Sequence, residues 1–437
     1  MRFLLGSIAH NSHVQNMGVA LHEAGMLGEF HASGVDVWHG SLWRGLRGLA
    51  GSVYPGLDAK LARRRITDIP ETLITSEWGW EAASLMLRRM GPLVGDSLWE
   101  KSEHALDRHC ARKMTGGAFD AFLGIEHGAL AAIQKAKLEG KPAGVAFLSP
   151  HHATRARWVD SEYERFPELL TPATRVLLEK GRLRDARRDQ EAQQADFIHC
   201  ASRFVHDSLV EGGVAAEKIF TCPLGCPPAV DSIERGTIDC GTGARQPVRF
   251  LYAGPVSVRK GAHVLLEAWK RLGNPAGAEL HFFGVVTLPE RCLRECPAGV
   301  HFHGSVSFAQ MEHEYQAASI LVFPTLCDGF GLVASEALAH GLPVLTTPNA
   351  GASQLIREGR NGFLVPPHDP DALAVRMQWC MDHPAQLEEM REAARTSARE
   401  WTWADYRKSF VSQLAAKLGA GAATPFHSCE PFHSCEP

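Results

Sequence analysis

The sequence has no apolar run near the roughly 18 residues that span a bilayer, so nothing in it reads as a membrane-crossing segment. It has no excess of charge. Its 45 Lys and Arg face 49 Asp and Glu, for a net charge of −4. That balance gives no support for nucleic-acid binding. A disulfide framework is also missing, because the eleven cysteines are scattered and odd in number and read as reduced thiols. The N-terminal stretch Met1-Arg-Phe-Leu-Leu-Gly-Ser-Ile-Ala is too short for the core of an export signal and reads as a first β-strand. A cytoplasmic location is therefore expected. The 437 residues, 45% of them apolar, suffice for two or three domains with full cores.

Strands and helices alternate through both halves. Phe3–Ile8 reads as a strand, Val14–Ala24 as a helix ended by Gly25, Phe119–Ile125 and Gly144–Leu148 as strands with a helix at Leu130–Glu139 between them. Phe197–Cys200 and Ile219–Cys222 flank a further helix. In the second half Arg249–Ala253, Glu279–Phe283, Val300–Phe302 and Ile320–Phe323 are strands, and Ala262–Arg271 is a helix. Ser307 and Gln310 form a capping box. Asp369-Pro370 starts a helix over Asp371–Met381. This rhythm predicts α/β architecture with two doubly wound parallel sheets, Pro223–Pro247 as linker, and a ligand cleft between the domains.

One stretch carries most of the chemistry. Asp328-Gly-Phe-Gly-Leu-Val-Ala-Ser-Glu336 holds two acids with seven residues between them and a glycine loop leading from a buried strand into a helix. The unpaired N–H groups and positive dipole end of that helix suit an anion. Two acids facing the same ligand suit a polyol bearing phosphate, such as a nucleotide sugar. Lys260 stands at a helix start, where a cation is disfavoured unless an anion is present.

These pieces occur in order with Phe250-Leu-Tyr-Ala-Gly254, Arg259-Lys260-Gly261, Gly304-Ser-Val306, Phe323-Pro324 and Glu358-Gly-Arg-Asn361-Gly362-Phe-Leu-Val365-Pro. Together they cover most of 248–382, and this half resembles the family-4 retaining glycosyltransferases (glycosyl transferases group 1). The first half matches more loosely, through Ala195-Asp196, Ser202 and Gly225. The resemblance implies a GT-B fold, with two Rossmann-like doubly wound parallel-sheet domains facing a central cleft. Residues 1–225 would bind the acceptor and 226–400 the nucleotide sugar. A helix over 401–418 would return to the first domain, and 419–437 would be a flexible tail.

By that resemblance Lys260 and Arg259 pair with the donor diphosphate, and Phe330, Gly331, Leu332 and Val333 contact phosphate and sugar. Glu336 accepts from the ribose, Asp328 touches the transferred sugar, Val306 lies near the base, and Gly254 borders the donor. Gly6, His10, His13, His127, His151 and His152 fall on the acceptor side, with His127 and His152 as catalytic candidates. The same two stand after strand ends, where open α/β sheets place ligands. The implied activity is configuration-retaining transfer to a hydroxyl of a glycan or lipid-linked acceptor in polysaccharide or glycoconjugate assembly. No metal and no cofactor beyond the nucleotide-sugar co-substrate are expected. The rivals are an inactive GT-B binding or scaffold subunit and a sugar-nucleotide epimerase on the same fold.

Three residues depart from the family pattern. Asp328 stands where Glu is usual, with about 1.5 Å less reach. Pro255 and Gln354 stand where Arg and Glu are common. Between 41 and 66, basic residues interleave with leucines, which fits either a solvated basic face or peripheral contact with the inner face of an anionic membrane. At the C-terminus, Pro-Phe-His-Ser-Cys-Glu is written twice, which reads as a disordered tail rather than a closed zinc site.

Overall fold

The computed structural model describes residues 1–8, 11–37, 64–87, 92–230, 247–273 and 275–419. His10, most of the basic segment 41–66, linker residues 231–246 and the repeated tail lie outside the described residues. No helix among the described residues is long and apolar enough to cross a membrane. All the cysteines among them are free thiols.

Two parallel sheets carry the fold. The first contains β1 (Phe3–Ser7), β2 (Leu27–Ser33), β3 (Ile74–Glu77), β4 (Ala121–Ile125), β5 (Ala143–Phe147), β6 (Phe197–Cys200) and β7 (Ile219–Thr221), in the order β3-β2-β1-β4-β5-β6-β7. The second contains β8 (Val248–Ala253), β9 (Ala278–Phe283), β10 (Val300–Gly304), β11 (Ile320–Phe323), β12 (Val344–Thr346) and β13 (Gly362–Leu364), in the order β10-β9-β8-β11-β12-β13. Central strands such as β1, β5 and β11 are buried along their whole length, as parallel strands covered by helices on both faces must be. Strand order reverses between β1 and β4 and between β8 and β11. A ligand crevice opens at the carboxyl ends there.

The helices follow the same logic. In the first domain they are α1 (Ser12–Glu23), α2 (Gly79–Leu87), α3 (Pro92–Lys113), α4 (Leu130–Leu138), α5 (Pro172–Gln194) and α6 (Arg203–Glu211). In the second are α7 (Ala262–Arg271), α8 (Phe308–Ala317), α9 (Leu332–Ala339), α10 (Pro370–Asp382) and α11 (Pro384–Glu400), followed by α12 (Trp403–Lys417). Ser307 and Gln310 cap α8 reciprocally, and Asp369 accepts the Ala372 N–H at 2.8 Å to open α10.

The chain crosses between domains more than once. α12 returns to the first domain, where Arg407 bonds Glu23 and Asn16 of α1, each at 2.9 Å. Its Tyr406 and Phe410 rings close over His199 and Phe220. The outgoing and returning segments touch at Gly225, where a Cβ would stand 2.5 Å from the Trp403 nitrogen. In the other direction, a helical run over 152–165 docks on the second domain. Val159 joins that domain's core, and Glu162 meets His263 at 2.5 Å and His368 at 2.9 Å.

His199 makes the first-domain core sensitive to acid. It is fully buried, with Nε2 3.4 Å from the Cys222 carbonyl and Nδ1 unpaired among the described residues. Burial holds its imidazole down from 6.5 to about 3. A depressed histidine is neutral in the fold and takes up its proton on unfolding. Its stabilisation is therefore complete above its unfolded value and drains away as pH falls toward its folded one. Between about pH 7 and pH 5 this is worth about 2 kcal/mol. His199→Leu should lose about that much less stability over the same interval in urea unfolding. Parallel losses in both proteins would contradict it.

Candidate active site in the cleft

Two strand-to-helix loops of the second domain build the site. The loop from Gly254 to Gly261 joins β8 to α7, and the loop from Pro324 to Gly331 joins β11 to α9. They interlock through the Arg259 carbonyl, which accepts the Leu326 N–H at 3.0 Å and the Thr325 hydroxyl at 3.2 Å. Arg259 is exposed and donates Nη1 to the Cys327 carbonyl at 3.2 Å. Buried side chains support the second loop from below. Thr347 donates to the Thr325 carbonyl at 2.6 Å and Asn349 to the Leu326 carbonyl at 2.8 Å. Such buried, fully bonded polar groups hold a loop in one shape before ligand arrives.

These loops enclose a cavity of about 190 Å³ against the first domain, bordered by Gly254, Lys260, Asp328, Phe330, Leu332 and Val333. From the first domain His13, Leu148 and Leu224 complete the wall. Gly331 adopts φ +88° as the N-cap of α9, and no side chain caps that helix. Its free N–H end therefore borders the cavity. Lys260 is buried, forms an ion pair with Asp328, and lies 5.0 Å over the Phe323 ring. Burial and the neighbouring Arg259 pull its ammonium below the ordinary lysine range, and the Asp328 contact opposes that. Glu336, one turn further along α9, accepts the Tyr315 hydroxyl at 2.8 Å, and burial raises its carboxyl. Its second oxygen has no partner among the described residues. Val306 packs at the edge of the same core. The arrangement brings a cation and a free helix N-terminus to one cavity, with the Glu336 carboxyl one turn further along the same helix, and such a cavity suits a diphosphate.

The domains touch at the glycine loop. A Cβ on Gly329 would stand 1.7 Å from the Leu148 carbonyl, and Ser202 donates to the Gly329 carbonyl at 2.6 Å. Gln354, one of the three departures, lies at this contact and accepts the Arg203 N–H at 3.2 Å. Pro255 stays exposed, with its carbonyl held by the Tyr252 hydroxyl at 2.7 Å.

The histidines separate. His13 borders the cleft cavity. Its Nδ1 is buried without a partner among the described residues, and burial lowers its imidazole to about 4. His127 and Gly6 border a separate first-domain cavity of about 270 Å³. His151 and His152 line neither. His151 accepts the Ala153 N–H on Nδ1, so its proton is on Nε2, 3.3 Å from Asp189. His152 Nε2 lies 3.1 Å from both oxygens of the same Asp189. Asp189 of α5 thus holds both rings, and neither residue borders the cleft cavity. Leu148 and Leu224 border the cavity without any sequence signal, since they carry no motif and reach it only through packing. Three groups of His with Asp or Glu cluster among the described residues, at His31–Glu77–His109, His151–His152–Asp189 and Glu279–His281–His301, and none borders the cleft cavity.

Comparisons with known proteins point the same way. The model of the family glycosyl transferases group 1 matches residues 247–383. The D-inositol 3-phosphate glycosyltransferase of Streptomyces coelicolor is 38% identical over 241 residues, 48% of this chain and 51% of that protein. That of Streptomyces griseus is 38% identical over 104 residues, 24% of this chain and 22% of that protein. The putative colanic acid biosynthesis glycosyltransferase WcaL of Salmonella typhimurium is 25% identical, over 45% of this chain and 52% of that protein. The chain thus spans about a fifth to a half of the length of these curated relatives. Among solved structures, HepE of Anabaena in complex with UDP and glucose superposes with TM-score 0.59 at 14% identity, over 95% of this chain and all of that one. Sucrose-phosphate synthase of Thermosynechococcus elongatus superposes with TM-score 0.59 at 18% identity, over 97% of this chain and 100% of that one. Residues 247–383 are a glycosyl transferases group 1 domain, and the chain as a whole has the GT-B fold.

Proposed function

We propose that this protein is a retaining glycosyltransferase that moves a sugar from a nucleotide-sugar donor to a hydroxyl of a glycan or lipid-linked acceptor. The observation that carries this reading is the convergence of Lys260 and the uncapped α9 N-terminus on one interdomain cavity. HepE was solved with UDP and with UDP-glucose, which supports a nucleoside diphosphate sugar as donor. In this reading Lys260, Arg259 and the α9 N–H groups hold the diphosphate and stabilise the charge that develops as it leaves. Glu336 accepts from the ribose with its free oxygen. Asp328 exchanges its contact with Lys260 for the sugar hydroxyls once phosphate takes the lysine. No carboxylate nucleophile is required. The departing phosphate oxygen helps remove the acceptor proton on the face of attack, and the fixed positive groups act in place of a metal ion. The domain contact at Gly329 keeps water from the bond being broken.

Thermal shift and calorimetry against UDP, GDP, ADP and their sugar conjugates test this. One nucleotide should stabilise the wild type, by about 2.7 kcal/mol at a hundredfold excess over Kd. Lys260→Ala and Glu336→Ala should erase the shift. If no nucleotide binds, the donor assignment fails. If one binds without hydrolysis or transfer, the chain is an inactive binding subunit.

A further inference from the structure

The first-domain cavity of about 270 Å³ lies at the carboxyl ends of β1 and β4, beside the donor cavity. Leu148 borders one and Ser149 the other. Its volume is just below the usual range for drug-sized ligands and suits a single sugar-sized ring. Two polar groups in its wall have no partner among the described residues. Glu103 of α3 is 2% exposed, and its carboxyl makes no hydrogen bond with any of them. His127 presents a buried Nδ1 with none. Native proteins rarely leave such groups unmatched unless water or a ligand meets them. Trp99 borders the same cavity, packed edge-on against the His127 ring at 6.4 Å.

Among the described residues, no lysine or arginine lines the cavity. A phosphate needs a free cation or a free helix N-terminus. The helix end beside it, that of α4, is already filled. Glu191 accepts the N–H groups of Ala129 and Leu130 at 3.0 and 3.2 Å, and Asp107 those of Ala131 and Ala132 at 2.8 and 2.9 Å. The nearby guanidiniums pair with carboxylates and none of them lines the cavity, although Arg184 and Arg188 each keep a buried Nε without a partner among the described residues. Arg184 pairs with Asp96 at 2.7 Å and Glu100 at 3.5 Å, Arg187 with Asp107 and Glu191, and Arg188 with Glu126 at 2.5 Å. Glu126 itself is saturated, taking the Leu148 and Ser149 N–H groups and the Ser149 hydroxyl on its other oxygen. The uncapped end of α1 opens beside His13 onto the donor cavity instead. Burial also raises the Glu103 carboxyl well above its usual range and lowers the His127 imidazole to about 4.

We propose that the acceptor is an uncharged polyol whose ring lies against Trp99 and whose hydroxyls bond Glu103 and His127, and that a phosphate-bearing acceptor is excluded. The inference rests on the glycosyltransferase reading and specifies its acceptor. A neutral carboxylic acid offers one donor and one acceptor, matching adjacent ring hydroxyls without a charge to balance. A phosphate placed there would meet carboxyls whose cations are taken.

Saturation-transfer NMR on the full chain tests it, with and without UDP. Glucose, galactose, mannose and myo-inositol are the neutral probes, and glucose 6-phosphate and myo-inositol 3-phosphate their charged counterparts. A neutral probe should bind at least roughly tenfold more tightly than its phosphate, because desolvated phosphate would find no partner. Trp99→Ala should weaken it about tenfold. Glu103→Gln, which keeps a neutral donor and acceptor, should change it little, while Glu103→Leu should weaken it about tenfold. Melting curves confirm that each variant is folded. A phosphate binding as tightly as its parent sugar, or Trp99→Ala and Glu103→Leu without effect, overturns the proposal. So does UDP binding with no neutral sugar bound. Sugar binding with no nucleotide bound instead removes the donor reading and leaves the polyol site standing.

Discussion

Replacing Lys260 with alanine is expected to lower kcat/KM for sugar transfer by about 10²- to 10³-fold, the usual cost of removing one preorganised charge from a developing anion. The effect should fall on kcat as well as on donor binding, because charge on the leaving diphosphate grows toward the transition state. Stability should fall too. Lys260 and Asp328 are both largely buried, and removing one partner strands the other charge at a cost of about 3 kcal/mol or more. The double variant Lys260→Met with Asp328→Asn separates the two effects. It removes both charges, so its unfolding free energy should return toward that of wild type while transfer remains lost. Full activity in Lys260→Ala would remove this lysine from the mechanism. Loss of activity that recovered with stability in the double variant would make its role purely structural.

The second large effect is expected at a glycine. Gly261 follows Lys260 with φ +72°, and a Cβ there would stand 1.8 Å from the Pro324 carbonyl oxygen. That neighbour is backbone of the β11–α9 loop and cannot rotate aside. Gly261→Ala should therefore push the Arg259-Lys260 turn away from the loop that carries Asp328. We expect roughly 3 kcal/mol of lost stability, from positive φ and overpacking together. Transfer should drop about a hundredfold with Lys260 still present, as displacement of a catalytic group by about 1 Å does. Gly273→Ala is the control. Its φ is +69°, with nothing within 4 Å of the added carbon. It should cost only the backbone term, about 1 kcal/mol, and leave transfer unchanged. Unfolding and steady-state rates for the pair decide the matter, since equal effects would mean the contact with Pro324 is unimportant.

Much of the second domain is legible in its amino acids alone. β11 is a continuous apolar run and β8 is one interrupted only by Arg249, the Ser307 and Asp369 caps obey local rules, and the Asp328–Glu336 spacing places both acids around one helix start. Long-range partners hide the rest. β2 reads poorly as a strand because Glu29 and His31 interrupt it, yet Lys113 meets Glu29 at 2.5 Å and Glu77 meets His31 at 2.6 Å. α5 lacks an apolar stripe because its inward face carries Arg188 and Glu191, which answer Glu126 and the α4 N-terminus. His151 and His152 follow a strand end in sequence, as a ligand group would, but Asp189 on α5 claims both rings.

By itself the sequence determined the α/β class, the alternation that yields two parallel sheets, and the anion-suited loop with its lysine. Each of these depends on chemistry within a few residues of itself. Only the tertiary structure decided which charges remain available. Lys260, paired with Asp328, borders a cavity while the carboxylate-paired Arg184, Arg187 and Arg188 do not, the α9 N-terminus is open while that of α4 is plugged by two carboxylates, and Glu103 is left without a partner among the described residues. Whether a charged group can bind a ligand depends on which distant side chain reaches it first, and that is set by how helices pack across the sheet.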